Sequence, residues 1–172
     1  AKAATTPFAL SANQVSILTL EEQRRIETGG AFDVTVGPVV DAWGFGPGRQ
    51  ERIVDVAETR MLERLVGWRL LSLDANTETI SKARPEVRAD LSGIAKGFAV
   101  DKAAQALDAL RIEHYLIDAG GEVRTRGLNP EGRPWQVAIE QPLAGPRQPR
   151  YVVPLSDLSI ATSGDYRIYF ER

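Results

Sequence analysis

The stretch that most constrains this chain is Asp90-Leu91-Ser92-Gly93-Ile94-Ala95-Lys96-Gly97, where a short strand-like run, Val87 to Leu91, meets a long helical pattern. Ser92 is placed to N-cap that helix, its hydroxyl taking one of the four backbone N–H groups a helix start leaves unpaired. Asp90 precedes it, where a carboxylate gains from the positive end of the helix dipole. Gly93 and Gly97 are harder to justify, since each costs about 1 kcal/mol against alanine inside a helix. Their presence asks for something close to the backbone. Two readings are open: an anion such as a phosphate seated on the first N–H groups with Lys96 supplying positive charge, or a capped helix packed tightly on a neighbour.

At 172 residues, 43% hydrophobic and 26% charged, the sequence is expected to make one α+β domain with a sizeable core. A net charge of −2 and a pI near 5.5, with no basic cluster, argue against a nucleic-acid partner. The absence of cysteine excludes disulfides and thiolate metal sites. No apolar run approaches the roughly 20 residues a membrane span needs. Ala1 to Phe8 do not look like a translation start, so a piece of something longer is expected.

Along the chain, Ser11 to Thr28 reads as a helix with Val15, Leu18 and Ile26 on one face, Ser11 or Thr19 opening a capping box, and Gly29-Gly30 as its stop. Residues 31 to 47 are dense in glycine, proline and aromatics, a loop whose apolar side chains must be buried somewhere. There Asp33 is either a turn or cap residue or an acceptor for a ligand. Asp55-Val56-Ala57-Glu58 opens a structural helix closing at Gly67. Short strands are expected at Arg69 to Leu73, Thr79 to Ser81 and Val87 to Leu91. The helix after the junction carries Ala99, Ala103, Leu107 and Leu110 as its apolar stripe and ends near Arg111. Tyr115 to Thr125 reads as strand, glycine kink, strand, with Gly120-Gly121 marking a bulge or close backbone approach. Trp135 to Glu140, Arg150 to Leu155, Leu158 to Thr162 and Tyr166 to Phe170 complete a mainly antiparallel sheet. The single histidine, His114, reads as structural.

Six blocks in order carry a resemblance: Gly30-Ala31-Phe32-Asp33-Val34-Thr35-Val36-Gly37-Pro38, Trp43-Gly44-Phe45-Gly46, Asp90 to Gly97, Gly120-Gly121-Glu122, Trp135-Gln136-Val137-Ala138-Ile139-Glu140 and Ala161-Thr162-Ser163-Gly164-Asp165-Tyr166. Together they resemble the ApbE family of FAD:protein FMN transferases, which use magnesium to move FMN from FAD onto a threonine or serine hydroxyl of an acceptor protein. The resemblance implies that Ala31, Phe32, Asp33, Asp90 and Lys96 contact FAD and that the Gly93 carbonyl helps hold Mg²⁺. It implies a periplasmic or cell-envelope protein, touching the membrane only through a lipid anchor outside this chain. The family pattern begins earlier, with a methionine and an aromatic flavin contact, and continues past Phe170 into a His-Ile-Ile-Asp-Pro segment and an Asp/Thr metal cluster. Residues 1–172 are thus expected to be one transferase domain incomplete at both ends, and inactive in transfer when alone.

Breaking a pyrophosphate while a hydroxyl attacks phosphorus needs positioning and charge neutralisation more than covalent chemistry from the protein. The junction offers helix-start N–H groups and Lys96 for that purpose, and no general base is visible. Two other classes remain open: an FAD pyrophosphatase releasing FMN and AMP, and a non-catalytic flavin-binding domain.

Overall fold

The computed structural model describes residues 6–46, 52–143 and 146–164. The strand expected at Tyr166 to Phe170, with Asp165, lies outside them. The chain divides into two compact units, Ala1–Ile94 and Ala95–Arg172. Every strand pairing is antiparallel, as the α+β reading requires.

In the first unit β1 (Phe8–Ala9) leads into α1 (Ala12–Glu27). Of the two competing starts, Ser11 is the cap: its hydroxyl accepts from the Gln14 amide and its own amide donates to the Gln14 side chain at 2.8 Å. Thr19 instead bonds the Val15 carbonyl from within the helix. The helix ends in a Schellman motif, Gly30 N–H to the Arg25 carbonyl and Gly29 N–H to Ile26, which needs the positive φ of +60° and +87° that glycine supplies. The buried face is Ile17, Leu18 and Glu21, and Ile26 is exposed, so the stripe is rotated from the one expected.

A 3-10 turn at Val34–Val36 and the short α2 (Gly37–Ala42) follow. Asp55 caps α3 (Val56–Glu63) through the Glu58 amide at 2.8 Å. A second 3-10 turn, Trp68–Leu70, enters β2 (Leu71–Asp74), which pairs with β3 (Thr79–Lys82) to give the order β1-β3-β2. Val34, Val54, Leu71, Ile80 and Val87 join Ile17 and Leu18 in the core.

The strand expected at Val87 to Leu91 does not form. Its backbone is used otherwise: the Val87 amide closes a turn onto Arg84, Lys82 Nζ holds the carbonyls of Pro85 and Val87 at 2.7 and 2.9 Å, and the Asp90 amide bonds the Val34 carbonyl at 2.7 Å. These bonds take up the Val87 and Asp90 groups that a ladder would use, and the segment joins no sheet among the described residues.

The second unit opens with α4 (Ala95–Ala109). Its buried positions are Val100 and Ala104, with Leu107 half-buried, whereas Ala99, Ala103 and Leu110 are exposed, so the expected stripe is one residue out of phase. Alanine reads as apolar on any face, and only the branched Val100 distinguishes the buried one. β4 (Tyr115–Ala119) and β5 (Glu122–Arg126) form a hairpin whose two-residue connection is Gly120-Gly121, both with positive φ. The glycines therefore make a hairpin turn rather than a bulge within one strand. β6 (Trp135–Glu140) pairs with β7 (Pro149–Leu155), and β8 (Ser159–Ala161) adds to β5. Asp108 of α4 accepts from the Tyr115 hydroxyl at 2.9 Å and Arg126 at 2.6 Å, and Arg124 pairs with Asp101 at 2.6 Å, tying the helix to the hairpin. His114 accepts the Leu128 amide at 3.0 Å, a structural use.

Candidate functional site

In the first unit, residues 31–37 and 87–93 fold against each other. Asp33 organises the first segment. One carboxylate oxygen accepts from the Thr35 amide at 2.9 Å and the Thr35 hydroxyl at 2.5 Å, and the other from the Trp68 amide at 2.9 Å. Thr35, fully buried, passes the connection on by accepting the Gly67 amide at 2.5 Å. The turn or cap reading of Asp33 is thus realised, and both its oxygens are engaged by the protein. At this turn Ala31 is exposed and Phe32 half-buried, and Asp33 Oδ2, which accepts one N–H, keeps a lone pair for a further donor.

The second segment is held to it at three points. The Asp90 amide bonds Val34, Gly37 lies so close to Arg88 that a Cβ would meet its carbonyl oxygen at 2.9 Å, and Arg88 pairs with Asp41. Gly93 sits under Phe32, where a Cβ would come within 3.1 Å of the ring edge. A side chain at 93 would press on this ring, which glycine leaves in place.

Ser92 does not cap α4. The helix begins at Ala95, and residues 92–94 form a turn in which Asp90 Oδ1 accepts the Ser92 amide at 2.8 Å and Ile94 N–H bonds the Leu91 carbonyl. Asp90 makes an Asx turn, an alternative that short acidic side chains offer the backbone ahead of a helix. Its second oxygen has no hydrogen-bond partner among the described residues. Gly97 has no described atom within 4 Å of where a Cβ would stand, so the packed neighbour expected there is absent from the described residues.

Lys96 belongs to the second unit. Its Nζ lies 2.7 Å from Glu122 Oε2 and 3.3 Å from the Gly120 carbonyl, clasping the hairpin turn. Half its side chain is exposed, so the ammonium keeps a face toward solvent while its charge is shared with Glu122. Gly120-Gly121-Glu122 and Ala161-Thr162-Ser163 come together here. Gly121 and Thr162 are in near contact, and both border a cleft of about 1200 Å³ also lined by Val137, Glu140 and Tyr151.

One group at the first-unit site escaped the sequence reading. Glu21 of α1 is 1% exposed, and neither of its carboxyl oxygens has a hydrogen-bond partner among the described residues. Burial raises its pKa to about 7, helped by the negative charges of Asp33 and Asp90. It was hidden in the charged run Glu21-Glu22-Gln23-Arg24-Arg25, although its spacing of four from Ile17 and three from Leu18 puts it on the buried face.

Among the described residues no cluster of three or more acidic or histidine side chains could hold a metal ion, and no helix is long and apolar enough to cross a membrane. Gly93 brings a backbone carbonyl and Asp90 one carboxylate oxygen, which by themselves fall short of the coordination Mg²⁺ takes.

Comparison with known proteins gives a consistent result. A family model described as "ApbE family" matches residues 1–172. The FAD:protein FMN transferase of Haemophilus influenzae is 46% identical over 171 residues, covering 96% of this chain and 49% of that protein. That of Vibrio cholerae is 42% identical over 167 residues, with the same shares. Among solved structures, the flavin transferase ApbE from Vibrio cholerae superposes with a TM-score of 0.84 at 38% identity, covering 99% of this chain and 55% of that one. The chain spans about half the length of the curated relatives it matches. It belongs to the ApbE family.

Proposed function

We propose that this chain is the nucleotide-binding portion of an FAD:protein FMN transferase, which moves FMN from FAD to a threonine or serine hydroxyl of an acceptor protein. The observation that carries the reading is the apposition of two motif segments distant in sequence, Ala31-Phe32-Asp33 and Asp90 to Gly93, through the Phe32–Gly93 contact and the Asp90–Val34 hydrogen bond. Within this reading Phe32 and the backbone of Ala31 offer a surface for the flavin nucleotide, Asp33 holds the turn rigid, and the free oxygen of Asp90 accepts a hydrogen bond from it. In the second unit Lys96 offers positive charge for a phosphate group, tempered by Glu122. Rigidity matters because phosphoryl transfer is accelerated mainly by positioning and by fixed charges that need no reorganisation.

Magnesium, bound in part by the Gly93 carbonyl, belongs to the same proposal. The described residues do not complete such a site, so no step is derived through the ion. Residence in the cell envelope on the periplasmic side, with a lipid anchor to the inner membrane, extends the reading and is checked by fractionating cells after labelling with a fatty acid.

The test of the activity is incubation of the intact protein with FAD, Mg²⁺ and a threonine-containing acceptor peptide, followed by mass measurement of the peptide. The expected outcome is an FMN adduct. Free FMN and AMP with unmodified peptide would replace the transferase with a pyrophosphatase, and bound but unreacted FAD would leave a flavin-binding domain.

A further inference from the structure

We infer that Glu21 is a positioning residue of the flavin-nucleotide site, a fully buried carboxyl with no hydrogen-bond partner among the described residues that lets Asp33, Asp90 and an anionic ligand share one corner of the fold. This rests on the nucleotide-binding reading above and extends it to a residue with no part in the motif blocks.

The argument begins with an anomaly of burial. Carboxyl groups are almost never fully buried without a partner, because desolvating even the neutral acid leaves its hydrogen-bonding capacity unmet. Glu21 is 1% exposed and both its oxygens are unpaired among the described residues. The groups acting on it are Asp33, from the turn after α1, and Asp90, from the segment ahead of Gly93. On its own helix, Arg25 stands one turn on with its Nε also buried and unpaired among the described residues. Other cations of the first unit serve other groups: Arg24 pairs with Glu27, Arg88 with Asp41, and Lys82 holds two backbone carbonyls. Burial and two acidic neighbours both favour the protonated form, and its pKa lies near 7.

A second consequence concerns the ligand. An anionic pyrophosphate near Asp90 binds better when the carboxyl behind it is neutral, and by linkage the ligand then holds the proton more tightly. Ionising Glu21 puts a third negative charge beside Asp33 and Asp90, and this opposes the nucleotide. Neither the flavin ring nor its phosphates titrate near neutrality, so a dependence there belongs to the protein.

The experiment measures FAD affinity of the intact protein between pH 6 and 8 for wild type, Glu21→Gln and Glu21→Ala. Wild type is expected to lose affinity by about tenfold across this range. Glu21→Gln, which keeps the shape and cannot ionise, should stay within about twofold of its own value throughout. Glu21→Ala should bind more weakly at every pH, and rescue by glutamine separates positioning from simple packing. A Glu21→Gln profile as steep as wild type's overturns the inference while leaving the nucleotide-binding reading intact. Failure of wild type to bind FAD at any pH sinks both. Should the glutamine variant not fold, carboxyl-carbon NMR of wild type decides: FAD should raise the Glu21 titration midpoint, and an unchanged midpoint overturns the inference.

Discussion

In the second unit Asp108 stands between the Tyr115 hydroxyl and Arg126, each within 3 Å, and these hydrogen bonds hold its carboxyl below the ordinary aspartate value. In the first unit Glu21 is more deeply buried, has no hydrogen-bond partner among the described residues, and is raised to about 7. One acid is part of the scaffold and is provided for by the scaffold. The other is left unserved, within electrostatic reach of Asp33 and Asp90. An acid that the fold needs arrives with its donors, and a bare buried one is a candidate for a role beyond the scaffold.

The largest test of this contrast is Asp33, which lies near Glu21 yet is fully provided for. Asp33→Ala strands the Trp68 amide and both donors of Thr35, and should lower stability of the intact protein by about 2–4 kcal/mol in denaturant unfolding. A loss below about 0.5 kcal/mol would mean these bonds do not organise the site.

Next in size is pH dependence, where the two acids should act with opposite sign. For Glu21 the folded-state pKa is raised from 4.5 to about 7, so the folded protein binds more protons in that window and stability falls as pH rises through it, by at most about 1.4 kcal/mol per pH unit. For Asp108 the folded value is depressed, so its contribution is present above about pH 3.8 and is lost as pH drops below that. Melting curves of wild type, Glu21→Gln and Asp108→Asn should show the first variant flattening the neutral limb and the second flattening the acid limb. The contrast breaks if both variants flatten the same limb.

The smallest effects sharpen the comparison at single glycines. Gly93→Ala must displace the Phe32 ring and should cost about 1 kcal/mol, together with FAD affinity. Gly97→Ala meets no described neighbour, and in α4 it should raise stability by about 0.5–1 kcal/mol. A loss at both positions would show that α4 is crowded after all.

Much of the fold could be read from local chemistry. Ser11 with Gln14, Asp55 with the Glu58 amide, and Gly29-Gly30 each mark a helix end through hydrogen bonds confined to a few neighbouring residues. These misreadings share one cause, competing hydrogen-bond partners, most of them a few residues away and one, Val34, far along the chain. Val87 to Leu91 has strand character, but its donors and acceptors go to Lys82, Arg84 and Val34. Ser92 has the chemistry of a cap, but Asp90 takes its amide first. At the candidate site, the resemblance put Phe32, Asp33 and Asp90 at flavin-contacting positions and Gly93 at a metal-holding one; the first unit packs Phe32 on Gly93 and bonds Asp90 to Val34. That Asp33 faces inward to Trp68, thirty-five residues away, has no local signature. Glu21 was missed because a charged run looks solvated unless each member is placed on the helical wheel.

The β4–β5 hairpin has a kinetic meaning as well. Its Gly120-Gly121 turn joins strands paired in register from Ala119–Glu122 out to Tyr115–Arg126, and α4, which the hairpin engages through Asp101 and Asp108, immediately precedes it. The ties between α4 and the hairpin join residues 18 and 23 apart, fewer than the 35 between Asp33 and Trp68, so closing them loses less loop entropy, and contacts of lower order form sooner. The second unit thus carries a nucleus that can be in place before the distant pairings of the first are made. The Lys96 clasp on Gly120 is then set early, ahead of the longer search that brings Asp90 to Val34 and Asp33 to Trp68.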